Sequence, residues 1–127
     1  MLRLLEERYP YAHCELDFQS PLQLLVATVL SAQTTDVMVN KVTPTLFARW
    51  PDATALAGAN REEMEVVLKP TGFFRAKTES VLRLSADLVE RFDGVVPGRL
   101  KDLVTLHGVG RKTANVVLGN AFGVPGL

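Results

Sequence analysis

The residues best placed to do chemistry lie between Leu103 and Phe122, in the run LVTLHGVGRKTANVVLGNAF. Gly108, Val109 and Gly110 set two glycines around one small apolar residue. That pattern permits a tight turn with backbone N–H groups facing outward. Arg111, Lys112 and Thr113 follow at once and open a helix. Outward N–H groups beside a helix N-terminus suit a phosphate oxygen; the plainer alternative is a helix–turn–helix corner with no ligand. Gly-Arg-Lys-Thr also resembles a nucleotide-binding phosphate loop at a glance. Such a loop requires Gly-Lys-Ser/Thr after a strand. Here Arg111 separates Gly110 from Lys112 and no strand precedes, so nucleotide binding is excluded.

Lys112 is the candidate nucleophile. At about 100° per residue, Ala114, Val117, Leu118, Ala121 and Phe122 gather on one face and Lys112 projects almost opposite it. It is therefore not a core residue, and by type alone it would be a solvated lysine. Its place in the first helical turn, next to Arg111 and one turn from apolar Val116, is unfavourable for further positive charge. An amine in such a place can act as a nucleophile.

The elements that must hold these residues all read as helices. Ser20, Pro21 and Gln23 form a helix start with an N-cap, a first-turn proline and a capping-box residue. Leu22 to Leu30 is apolar on nearly all sides, which predicts a buried central helix. A second helix is expected from Asp36 to Arg49, with Val39, Val42 and Leu46 inward and Pro44 kinking or breaking it. Asn60 opens a short helix that ends near Leu68, before Pro70. Ala76 to Phe92 is the clearest amphipathic helix, and Asp93-Gly94 and Pro97-Gly98 punctuate the loop that follows. Leu100, Leu103 and Val104 form a short helix leading into the hairpin. No segment alternates with period two, and there is no internal repeat. The expectation is an all-α fold, a helical bundle or barrel in one domain over residues 1–127.

Composition sets the outer bounds. The chain has 127 residues, 47% hydrophobic and 22% charged, which is enough to bury a core. Fourteen Lys and Arg balance fourteen Asp and Glu. A net charge of zero excludes a protein that coats nucleic acid, so DNA binding would have to be local. Arg99, Lys101, Arg111 and Lys112, opposed only by Asp102, make such a basic island. The single cysteine, Cys14, excludes an internal disulfide. With only His13 and His107 beside it, no zinc or iron–sulfur site is expected within this chain; His13 and Cys14 read as loop residues. The apolar run Leu24–Leu30 is too short to span a bilayer. Arg3, Glu6, Glu7 and Arg8 interrupt any signal-peptide core, so a cytoplasmic location without a membrane partner is expected.

Leu106-His107-Gly108-Val109-Gly110-Arg111-Lys112-Thr113-Ala114-Asn115-Val116-Val117 resembles the helix–hairpin–helix signature of the endonuclease III family, LPGVGRKTANVV. Leu30–Asp36, LSAQTTD, resembles its LSAQxTD segment; Pro70–Lys77 resembles xxGLYxxKA; Asn120–Gly123 resembles xAFG. The order is the family's, and the likeness covers nearly the whole chain, with the helix–hairpin–helix at about residues 99–122. The resemblance implies the family's helical fold and a base-excision DNA glycosylase with abasic-site lyase activity that removes oxidised pyrimidines. The lysine matching Lys112 attacks the sugar C1′, forms a Schiff base and promotes β-elimination. Adenine glycosylases of the same superfamily have no lysine there, so Lys112 points to the bifunctional class. Gln33 would fill the gap left by a flipped base, and Phe73, where the family usually has leucine, would wedge the opposite side. Gly108, Val109, Gly110, Arg111 and Thr113 would hold the backbone. The implied partner is double-stranded DNA with damaged pyrimidines or abasic sites, bound by a monomer, near the bacterial nucleoid.

Two departures stand out. His107 replaces the family's proline. The chain also lacks the VDTH-like segment, whose aspartate assists base departure, and the four cysteines of the family's [4Fe–4S] cluster, so it is expected to be a fragment with reduced or no activity. The competing readings are a non-catalytic helix–hairpin–helix DNA-binding module and an unrelated helical interaction domain.

Overall fold

The computed structural model describes residues 16–122. Seven α-helices occur among them: α1 Pro21–Leu30, α2 Asp36–Arg49, α3 Ala53–Ala57, α4 Arg61–Leu68, α5 Phe74–Phe92, α6 Leu100–Leu103 and α7 Arg111–Ala121. A 3₁₀ turn, Lys69–Thr71, joins α4 to the loop before α5. No strand is present among the described residues, and the architecture is all-α.

The early helices start where short polar side chains satisfy first-turn N–H groups. Ser20 Oγ accepts from Gln23 N at 3.2 Å, and Gln23 Oε1 accepts in turn from Gln19 N at 3.0 Å. The box thus closes one residue earlier than a capping box usually does. Thr35 Oγ1 caps α2 through Met38 N, and Asn60 Oδ1 caps α4 through Glu63 N. Asp52 Oδ1 accepts from Ala55 N and starts α3, a short helix the apolar periodicity does not predict.

α1 is the central helix, as its composition demands. Leu24, Leu25, Val26, Ala27 and Leu30 are all fully buried, and α1 packs against α2, α5 and α7. α5 carries the other large apolar stripe; Val81, Leu84 and Leu88 are fully buried against α3, α4 and α1. One helix start needs correction, and of the two alternatives at Pro44 the break does not occur. α2 continues without a break through Pro44. The proline removes one intrahelical bond, while buried Val39, Val42 and Leu46 hold both halves against the core. α5 begins at Phe74 rather than Ala76, because the chain turns sharply at Gly72-Phe73 and enters the helix earlier. No described helix is long and apolar enough to cross a membrane.

Candidate nucleic-acid interface

Three regions distant in sequence converge on a cleft of about 320 Å³. The end of α1 and its following turn contribute Gln33; the start of α5 contributes Phe73, Lys77 and Ser80; the hairpin and α7 contribute Gly108 and Thr113. Of the residues singled out by sequence, Gln33, Phe73, Gly108 and Thr113 therefore share one cavity. Gly110, Arg111 and Lys112 are exposed and do not line it. Lys112 is the second residue of α7, next to the cleft-lining Thr113.

Gln33 and Phe73 share a backbone peculiarity. Their φ angles are 60° and 47°, and among the described residues Asp93 is the one other non-glycine with positive φ. Left-handed backbone is strained for such residues and tends to mark functional positions. Phe73 is also 65% exposed. An aromatic ring held on a strained backbone in water contributes little to the core.

The turn before Phe73 is tied down by Lys77. Gly72 has φ 76° and ψ 160°, a combination open almost solely to glycine. The Lys77 main-chain N–H donates to Phe73 O at 3.0 Å, and its ammonium donates to Thr71 O at 2.8 Å. One residue thus grips both sides of the Gly72-Phe73 turn. Lys77 is only 5% exposed, no described carboxylate lies within ion-pair distance, and burial pushes the ammonium pKa below its ordinary value. Sequence reasoning passed over this residue. The signal was present: Lys77 continues the buried stripe Val81, Leu84, Leu88 at helical spacing.

The hairpin is docked on α5. Its His107 N–H donates to Asp87 Oδ2 at 2.9 Å. Gly108 has φ 77°, and a Cβ built there would lie 3.8 Å from Ser80 Oγ. The expected outward set of N–H groups is corrected at Val109, whose N–H closes the turn onto Leu106 O at 3.2 Å. The Val109 side chain is buried. Gly110 caps α7 with no side-chain bond, and α5 likewise starts without a side-chain cap. Both helices that begin at the cleft therefore keep first-turn donors free of capping side chains, unlike α1, α2 and α4.

Among the described residues, no group of three or more His, Cys, Asp or Glu side chains could hold a metal ion. A four-cysteine cluster does not fit a sequence with one cysteine, Cys14, which lies outside the described residues.

Residues 26–119 match the sequence profile of the HhH-GPD superfamily base excision DNA repair protein. Endonuclease III of Synechocystis sp. is 56% identical over 124 residues, which is 98% of this chain and 57% of that protein. A solved structure of a non-covalent Endonuclease III–DNA complex superposes with a TM-score of 0.87 at 44% identity, covering 98% of this chain and 58% of the other. A trapped Endonuclease III–DNA covalent intermediate matches with the same TM-score and identity. The chain spans a little over half the length of these relatives.

Proposed function

This chain belongs to the HhH-GPD superfamily of base excision DNA repair proteins, and on that premise we propose that it is the DNA-gripping and amine-bearing part of a bifunctional glycosylase and abasic-site lyase. The partner is duplex DNA with oxidised pyrimidines or abasic sites, bound by a monomer in the cytoplasm. The observation that carries the reading is the meeting of Gln33 and Phe73, remote in sequence, on one cleft beside the hairpin, both exposed and both left-handed. A nucleotide leaving the stack opens a gap that inserted side chains must occupy.

Gly108, Gly110 and the first turn of α7 hold a phosphate through backbone N–H groups. Gln33 enters the space vacated by the base while Phe73 stacks from the opposite side. The Lys112 amine adds to C1′ of the abasic aldehyde, and loss of water gives the Schiff base. Loss of a C2′ proton then expels the 3′ phosphate by β-elimination. None of these residues supplies the carboxylate that the family resemblance assigns to base departure.

Borohydride reduction of the 127-residue chain with an abasic-site duplex tests this. A covalent complex should form and vanish in Lys112→Gln. The exposed position of Lys112 outside the cleft lining is what a non-catalytic module would also have. DNA binding without any trapped complex would favour that second reading, and trapping unchanged by Lys112→Gln would remove the assigned nucleophile.

A further inference from the structure

We infer that Lys69 and Arg75, which flank in sequence the Gly72-Phe73 turn at the cleft edge, form a second contact for the DNA phosphodiester backbone, apart from the hairpin. The inference rests on the DNA-binding reading above and locates a surface that reading does not include.

In a chain of zero net charge, pairing decides which cations remain available to an anionic partner. Arg49 pairs with Glu63, Arg61 and Arg83 both pair with Glu79, and Arg99 pairs with Asp102. These pairs cancel most of that charge within the protein surface, leaving one positive charge where two arginines share Glu79. Lys69 and Arg75 differ. Both are exposed, and no described carboxylate lies within bridging distance of either. Glu79, one helical turn beyond Arg75, is already shared by Arg61 and Arg83. Glu65, one turn before Lys69, forms no ion pair with it.

The two cations are nevertheless held in place. Lys69 Nζ lies 6.0 Å and Arg75 Cζ 5.0 Å from the centroid of the Phe74 ring, and Phe74 is itself packed against the core. Contact with the ring face attracts each cation while leaving its N–H groups free to donate. An ordered cation loses less freedom on binding than a loose one. Lys69 and Arg75 flank the Gly72-Phe73 turn, so any duplex that receives the exposed Phe73 ring brings phosphates close to them. The hairpin contributes its own donors from another wall of the same cleft. An exposed aromatic flanked in sequence by two ring-anchored cations suits a nucleic-acid backbone interleaved with bases.

The test is the salt dependence of binding to a fluorescent duplex with a stable abasic analogue. Each phosphate contact contributes about −0.9 to the slope of log K against log salt. The combined variant Lys69→Gln, Arg75→Gln should flatten the slope by about one to two units. Arg111→Gln, on the hairpin, should flatten it separately, and the two losses should add. The charge-conserving pair Lys69→Arg, Arg75→Lys should keep the wild-type slope. An unchanged slope in the double Gln variant, whatever its affinity, overturns the inference and leaves the DNA reading standing. A wild-type chain with no salt-dependent duplex binding removes the DNA reading and the inference with it. All three residues are exposed, so unchanged thermal melts should accompany each variant.

Discussion

Replacing Gln33 with glycine should make the protein more stable and worse at holding damaged DNA. Gln33 sits at φ 60°, where an L-residue costs roughly 1–2 kcal/mol. Glycine removes that strain but adds about 0.5–1 kcal/mol of unfolded-state entropy. Little contact is lost, since Gln33 is exposed. The local turn is closed by backbone bonds from Ala32 N to Val29 O and from Thr34 N to Ser31 O, which the substitution leaves intact. The net change is a gain of up to about 1.5 kcal/mol, or about 4 °C in melting temperature per kcal/mol. Binding should move the opposite way. A base left without its inserted partner has unsatisfied polar groups, at about 1–3 kcal/mol. That is roughly 5- to 150-fold in Kd. Denaturant melts followed by circular dichroism give the first quantity, and titration of an abasic-analogue duplex against its undamaged counterpart gives the second. Gln33→Ala is the control, because alanine keeps the backbone strain while losing the same side chain. It should match the glycine variant in DNA binding and show none of its added stability. Wild-type selectivity for the abasic duplex in Gln33→Gly, or a clear loss of stability, would refute the link between strain and insertion.

Lys77→Met tests the buried ammonium. Its folded pKa lies below 10.5, so between that lowered value and 10.5 the unfolded chain binds more protons. Wild-type stability should therefore rise relative to Lys77→Met as pH climbs through this window; a flat or falling difference in pH-dependent melts would contradict the burial argument. Gly72→Ala should lose about 1–3 kcal/mol by chemical denaturation, a purely conformational effect because a Cβ there meets nothing within 4 Å; a neutral result would show that the turn before Phe73 is not constrained. Asp87→Ala should speed amide exchange at His107 by releasing its N–H. In a His107→Pro background, where that N–H does not exist, the same change should have no further effect on stability, and additive losses in the double-mutant cycle would argue against the tether.

Helix starts at Ser20 and Asn60 are legible in the chain because a cap spans only a few residues and its chemistry is local. The uninterrupted apolar character of Leu22–Leu30 determines burial of α1 in the same way, since no polar face exists to present to water. The hairpin and the LSAQTTD and TGFFRAK segments identify Gln33, Phe73 and Lys112 by type and order. Local pattern fails where a neighbour far along the chain decides. Pro44 does not end α2, because core contacts on both sides outweigh one missing hydrogen bond. The helical period puts Lys77 on the buried stripe, but only the packing of the turn shows that its ammonium bonds Thr71 O. A local bond can also be missed: the Val109 N–H closes its own turn onto Leu106 O, which glycine content alone does not show.

The sequence by itself offered the candidates: an amine at Lys112 and a glycine hairpin from residue type and spacing, and Gln33 and Phe73 through the family resemblance. Only the tertiary structure decided that Gln33 and Phe73 meet at one cleft on left-handed backbone, and that Lys77 fastens the turn beneath one of them. The physical reason is range. Residue type and helical period act over a turn or two, whereas the meeting of Gln33 and Phe73 depends on α1, α5 and the hairpin packing around one cleft.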